Sequence, residues 1–130
     1  MRTVPATVTL VLVCVGGAGC SAWTSDEVSA HVGTYEATGE GGDGALLEGT
    51  VRLEDGCLFV EASTGGRFLA YFPEDEVEWS DEGLRYGGST YGSGDSIVLG
   101  GGTSSASRPV PSDCRERFEA LTQWIVAQSG

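Results

Sequence analysis

The chain has 130 residues, with 7 basic and 19 acidic side chains and a formal net charge of −12 at pH 7. This length provides one hydrophobic core and excludes two full domains. The basic residues are all arginines and lie scattered along the chain, so nothing resembles the basic stripe that binds a phosphate backbone, and nucleic acid is excluded as a partner.

The first residues have the order of a secretory signal. Arg2 supplies a positive tip, Val4 to Val15 form an apolar run, and Gly16 to Gly19 are small residues that precede Cys20. The run is shorter than the about 20 residues that a spanning helix needs. A buried N-terminal element and a plain secretory signal cleaved nearby are the alternatives. The predicted organisation is a signal peptide, a lipidated tether and a single β-rich domain: residues 1–19, 20–30 and 31–130.

Residues Gly17 to Cys20 resemble a lipobox, the site at which bacterial lipoproteins are lipidated and cleaved. Ser21 fits the same pattern, whereas Gly17 stands where the pattern usually has an aliphatic residue. The resemblance implies a diacylglycerol with acyl chains such as palmitate on Cys20, which would hold the domain at the extracytoplasmic face of the cell membrane. Removal of the signal peptide would also remove Arg2 and leave six arginines with 19 acidic residues. The chain therefore lacks the basic clusters that bind anionic headgroups, and the lipid attached to Cys20 is its expected contact with the membrane.

The four cysteines divide into two groups. Cys14 lies in the predicted signal and Cys20 is assigned to the lipid, which leaves Cys57 and Cys114. A pair of cysteines in an oxidising compartment predicts a disulfide, with two free buried thiols as the alternative. No metal site is predicted, because His31 is the only imidazole available to complete one.

Beyond the tether, short segments with a two-residue apolar period alternate with glycine-rich turns. Residues 46–53 have the clearest period, and the following Asp55-Gly56 pair is a strong hairpin signal. Residues 74–82 are predicted to form an acidic loop. The predicted strands cover residues 32–37, 46–53, 57–62, 67–72, 83–86, 89–91 and 95–99.

The C-terminal part has helical features. Asp113 with Glu116 three residues later is similar to a capping box. The apolar side chains at Cys114, Phe118, Leu121 and Ile125 then share one helical face. We predict a helix over residues 113–121, and residues 122–127 either extend it or form a final strand.

Several segments resemble small lipoproteins that are common in actinobacteria. They are the lipobox, residues 53–60, Phe72-Pro73 with Trp79, and residues 94–102 with the later Cys114. The resemblance covers about residues 46–114. It implies a compact OB-like β-barrel in which Cys57 and Cys114 are bonded, and it brings no activity with it. The turn spacing by itself predicts an all-β or mainly β fold of the sandwich or barrel type. Taken with the resemblance, the expected architecture is a small OB-like barrel of about five to seven short antiparallel strands with one short C-terminal helix.

Residues that could carry chemistry are few. No glycine-flanked serine of nucleophile form accompanies His31, which is interpreted as an exposed or strand-edge histidine. The carboxylates of residues 74–82 could bind Ca²⁺, but they lack the order of a known calcium loop and predict a solvated surface. Gly100 to Gly102 are interpreted as glycines of barrel closure, because no lysine of a phosphate-binding loop follows them.

These observations favour a surface-tethered, non-enzymatic domain that binds a protein or a cell-envelope component. The first alternative is a carbohydrate or envelope-polymer module that stacks its ligand on Trp79, Tyr86 and Tyr91, since OB-type barrels bind such chains. Core packing of the same aromatic residues is the competing interpretation. An enzyme with carboxylate-based chemistry is the second alternative. No catalytic residue, cofactor or metal ligand is predicted.

Overall fold

The computed structural model describes residues 25–37 and 44–128, so Cys20 and the predicted signal peptide lie outside the described residues. Within these ranges, no helix has the length and apolar character needed to cross a bilayer. The elements in chain order are α1 (Ser25–His31), β1 (Gly33–Tyr35), β2 (Ala45–Glu54), β3 (Cys57–Ala62), β4 (Arg67–Pro73), β5 (Val77–Ser80), β6 (Gly83–Tyr86), β7 (Ser89–Tyr91), β8 (Ser96–Ser104), a 3₁₀ helix (Ser112–Ala120) and β9 (Thr122–Val126).

Five of the strands form a closed barrel. Strands β2, β3 and β4 are an antiparallel meander, and β8 pairs antiparallel with β2. Strand β9 pairs antiparallel with β8 and parallel with β4, which closes the ring. Strand β1 adds to the last residues of β4 in parallel. The protein is therefore mainly β, with the OB-like barrel that its sequence predicts.

Two local features set the β2–β3 pairing. Asp55 and Gly56 have φ values of 52° and 86°, as a type I′ hairpin turn requires at both central positions. Gly49 of β2 lies opposite Ala62 of β3. A Cβ atom at Gly49 would collide with the carbonyl oxygen of Glu61, so the two strands approach closely only because this residue is glycine.

The interior of the barrel holds the main apolar core. Its buried side chains alternate along the strands with outward residues, as the two-residue period requires. They include Leu47, Val51, Leu58, Val60, Ala70, Phe72, Ile97, Leu99, Trp124 and Val126. A separate sheet of β5, β6 and β7 packs on the same core through Val77 and Leu84, and α1 packs there through Val28.

A second apolar cluster lies on the outer faces of β3 and β4. Phe59, Leu69 and Tyr71 belong to it, together with both late cysteines. The chain between β8 and β9 covers these side chains with three apolar residues: Val110, Phe118 and Leu121. The 3₁₀ helix is therefore a cover for the outer surface of the barrel.

The structure refines the predicted set of strands. The barrel sheet has six strands, within the predicted five to seven, and a separate three-stranded sheet brings the described total to nine. The β1–β4 and β4–β9 pairs are parallel, although all pairs were expected to be antiparallel. Parallel neighbours need a long crossover. The segment from β4 to β9 is such a crossover. Residues 74–82 are not entirely loop, because Val77–Ser80 pairs with β6.

Both ends of the domain also differ from the predictions. The C-terminal helix is a 3₁₀ helix without a side-chain cap, and Pro111 rather than Asp113 precedes it as the cap residue. Thr122–Val126 is a strand, which decides between the two alternatives for this segment. At the other end, α1 begins at Ser25 and Val28 is buried. The folded part therefore begins earlier than the predicted boundary at His31.

Candidate functional site

The disulfide predicted between Cys57 and Cys114 is present. The S–S distance is 2.05 Å, and both residues are 0% exposed. Cys57 is the first residue of β3 and Cys114 lies in the 3₁₀ helix. The bond therefore attaches the covering segment to the outer face of the barrel.

Next to this bond lies His31, the one histidine that could serve in catalysis. His31 ends α1, and its Nδ1 atom lies 2.8 Å from the carbonyl oxygen of Gly56 and 3.2 Å from Oδ2 of Asp113. Because a carbonyl oxygen only accepts, Nδ1 carries the hydrogen and donates it. The imidazole stacks on Trp79 with ring centroids 4.2 Å apart. His31 is thus a half-buried helix-terminal residue, and its interpretation as an exposed or strand-edge histidine is wrong.

This cluster holds three elements together and lacks the parts of a nucleophilic relay. The carboxylate of Asp113 accepts from the imidazole, as in a triad. No described hydroxyl, however, forms a hydrogen bond with the ring of His31. The arrangement therefore docks α1 against the turn at Gly56 and the β5–β7 sheet. Asp113 was predicted as a helix cap, but it lies inside the first turn of the 3₁₀ helix and accepts from His31 instead.

The three aromatic residues proposed as a stacking surface lie on the β5–β7 sheet. Trp79 and Tyr91 both face Leu84 in the strand register, so they occupy one row on one face of this sheet. Tyr86 contacts Phe72 edge to face at 5.0 Å. All three side chains are half-buried and pack against the main core. The geometry favours the core-packing interpretation over a free platform for sugar rings.

The surface that OB-type barrels commonly offer to oligomeric ligands is also occupied. In such barrels the ligand lies on the face of the second and third strands. Here those strands are β3 and β4, and the second apolar cluster on their outer face is already covered by the chain that leads into the 3₁₀ helix. A ligand of the usual type would have to displace a segment that Cys57–Cys114 holds covalently.

The acidic stretch and the glycine run have simpler roles. Most carboxylates of residues 74–82 are exposed, and in the described part of the chain no group of three or more His, Cys, Asp or Glu side chains could hold a metal ion. Strand β8 runs through Gly100 to Gly102. Gly101 has a φ of 144°, and a Cβ atom there would collide with the carbonyl oxygen of Ile125 in β9. This contact agrees with the interpretation of these glycines as residues of barrel closure.

The covered face also carries a polar group that the sequence patterns do not predict. Arg108 lies in the chain between β8 and the 3₁₀ helix, with its guanidinium carbon 5.9 Å from the ring centroid of Tyr71. The hydroxyl of Tyr71 donates to the carbonyl oxygen of Pro109 at 3.0 Å, and the hydroxyl of Tyr35 donates to that of Val126 at 2.6 Å. Nothing in the local sequence marks this group, since its members come from four elements or loops.

Comparisons with known proteins do not extend these observations. No protein-family model matches the chain, and neither a curated protein nor a solved structure matches it. The chemistry of the described residues is therefore the basis for a functional proposal.

Proposed function

We propose that this protein is a lipid-anchored, non-enzymatic binding domain at the extracytoplasmic face of the cell membrane. Its lipid would be attached to Cys20, and its partner would be a protein or another component of the cell envelope. The Cys57–Cys114 bond is the observation that best supports the location, because buried structural disulfides persist in oxidising compartments. The lipobox-like segment before Cys20 supports the anchor.

The early start of the fold makes the proposed tether short. Helix α1 begins at Ser25, five residues after Cys20. Five residues span at most about 18 Å when fully extended. The domain would therefore stay close to the membrane, while its acidic character disfavours flat adsorption to an anionic leaflet. Such a position suits recognition of a partner that is itself at the membrane surface.

The described residues support binding rather than catalysis. The imidazole of His31 holds Asp113 and the Gly56 carbonyl, and its ring stacks on Trp79. His31, the residue most suited to general acid–base chemistry, thus has a structural role. The carboxylates of residues 74–82 are mostly exposed, and among the described residues no three acidic, histidine or cysteine side chains are placed to hold a metal ion.

The anchor is tested by fractionation and mass spectrometry of the full chain expressed in a bacterial host. We expect the protein in the membrane fraction, with diacylglycerol mass on an N-terminal Cys20. Cys20→Ala should release the protein or leave it unprocessed. Cys14→Ala makes the same substitution inside the predicted signal and should change neither mass nor fractionation. An unmodified Cys20 in the mature protein would refute the proposed anchor.

The binding role is tested by crosslinking in intact cells. A photo-crosslinker at the exposed Val98 or Arg115 position should form a reproducible adduct with one envelope component, identified by mass spectrometry. The Cys20→Ala protein should lose that adduct, because it no longer stays at the membrane. Absence of any specific adduct from exposed positions around the domain would contradict a binding role.

A further inference from the structure

Among the described residues, Arg108 differs from the other two half-buried arginines, Arg52 and Arg117. Arg52 pairs with Glu61, and Arg117 pairs with both Glu54 and Asp55. Among the described residues, no carboxylate forms an ion pair with Arg108, although the chain carries 19 acidic residues against 7 basic ones. A half-buried cation without a partner is unfavourable, because it has lost part of its hydration without compensation.

The hydrogen-bonding groups of this guanidinium are not fully used. Its Nε atom is enclosed by the protein and has no hydrogen-bond partner, although the side chain as a whole is only half-buried. One surface of the group faces the ring of Tyr71. Arg108 is therefore a half-buried cation with an unused N–H donor, held against one aromatic ring.

The positive charge of Arg108 affects the pKa values of two tyrosines, Tyr35 and Tyr71. Burial raises the pKa of Tyr71 and of Tyr35, and the positive charge of Arg108 partly offsets both shifts. The carboxylates of Glu76 and Asp75 act on Tyr35 in the opposite direction. The electrostatic surroundings of Arg108 thus include two tyrosines and the negative charges of Glu76 and Asp75.

We propose that Arg108, which lies over the ring of Tyr71, binds a carboxylate of a protein partner, either an acidic side chain or a chain terminus. This inference rests on the proposed binding function and specifies the chemistry of the partner. A planar guanidinium binds a carboxylate through two parallel hydrogen bonds. One positive charge matches a monoanion, whereas the carboxylates near Tyr35 disfavour a dianionic phosphate. Arginine is also among the residues that most often anchor protein interfaces.

The test uses the purified full chain in detergent and a matched pair of small probes. N-acetyl-leucine carries a peptide-like carboxylate, and N-acetyl-leucinamide lacks it. At constant ionic strength, we expect N-acetyl-leucine to cause saturable NMR shifts of the Tyr71 and Val110 backbone amides, and the amide probe to cause none. Arg108→Gln should abolish saturation, and Arg108→Lys, which keeps the charge but loses the planar fork, should weaken binding at least about tenfold.

Arg115→Gln is the control, because it removes the same charge from an exposed arginine of the 3₁₀ helix. It should bind N-acetyl-leucine like the parent protein.

The inference fails if the parent shows no saturable response, or if Arg108→Gln, shown by circular dichroism to be folded, binds as the parent does. Tighter binding of methyl phosphate or glucuronate than of N-acetyl-leucine would also overturn it, in favour of a phosphate or an acidic sugar. If the crosslinked partner in cells persists with Arg108→Gln, only the carboxylate site is refuted. If no partner is crosslinked even by the parent protein, the binding function itself is refuted.

Discussion

Removal of the Cys57–Cys114 bond should strongly destabilise the domain. The two residues are 57 positions apart, and the chain between them contains strands β4 to β8. For a loop of this length, the chain-entropy relation gives a stabilisation of about 4 kcal/mol through restriction of the unfolded chain. The free energy of unfolding of a small domain is only about 5 to 15 kcal/mol, so the double variant Cys57→Ala/Cys114→Ala should lose a large share of its stability.

Other contacts of the covering segment cannot replace the bond. Arg117 pairs with Glu54 and Asp55 at 2.7 and 2.9 Å, but these carboxylates are exposed. Exposed ion pairs contribute about 0 to 1 kcal/mol each. Arg117→Gln is therefore a suitable control, since it breaks both pairs on the same helix and leaves the covalent link intact.

Urea unfolding followed by tryptophan fluorescence measures the difference. With a denaturant slope of about 1.5 kcal/mol/M, a loss of about 4 kcal/mol lowers the midpoint by about 3 M. Cys114→Ala alone should lose nearly as much, because either substitution opens the loop. Arg117→Gln, which loses two such pairs, should shift the midpoint by less than about 1.3 M at the same slope. A double variant whose stability lies within about 1 kcal/mol of the parent would refute the reasoning that loop closure dominates.

Two further predictions concern the tyrosines and the barrel contact. Because burial raises the pKa of Tyr35 and Tyr71 above 10.0, their stabilising contribution is complete below pH 10 and is lost as the pH rises through the folded-state values. The free energy of unfolding should fall above pH 10 by up to about 1.4 kcal/mol per pH unit for each tyrosine, and urea titrations of Tyr71→Phe should show a smaller slope; an unchanged slope would contradict the assignment. Gly49→Ala should lower the free energy of unfolding by about 1 to 3 kcal/mol, because its Cβ would lie 2.9 Å from the Ala62 Cα atom. Gly100→Ala is the control: the nearest atom to its Cβ is 4.0 Å away, so this variant should melt near the temperature of the parent protein. Equal melting temperatures for the two glycine variants would show that β2 and β3 can separate without cost.

Much of the barrel could be predicted from local patterns. The period over residues 46–53 and the Asp55-Gly56 pair predict two paired strands, and the structure contains them as β2 and β3. These signals are local, because side-chain alternation and turn dihedrals depend on neighbouring residues. The cysteine pair could be predicted for a different reason, since only Cys57 and Cys114 remained once the N-terminal cysteines were assigned.

The contacts between distant segments could not be predicted in this way. The 122–127 segment has side chains compatible with both helix and strand, and its place between β4 and β8 makes it β9. The 74–82 stretch looks like a solvated loop by charge, yet its residues Val77 and Trp79 face the core once β6 pairs beside them.

The sequence by itself determined the mainly β class, the β2–β3 hairpin and the available cysteine pair. Tertiary structure decided which polar groups meet. Asp113 accepts from His31 instead of capping its own helix, and Arg108 lies against Tyr71 without a carboxylate partner among the described residues. The reason is physical: periodicity specifies the face on which a side chain lies, but a buried polar group finds its partner only when remote strands and helices have packed together.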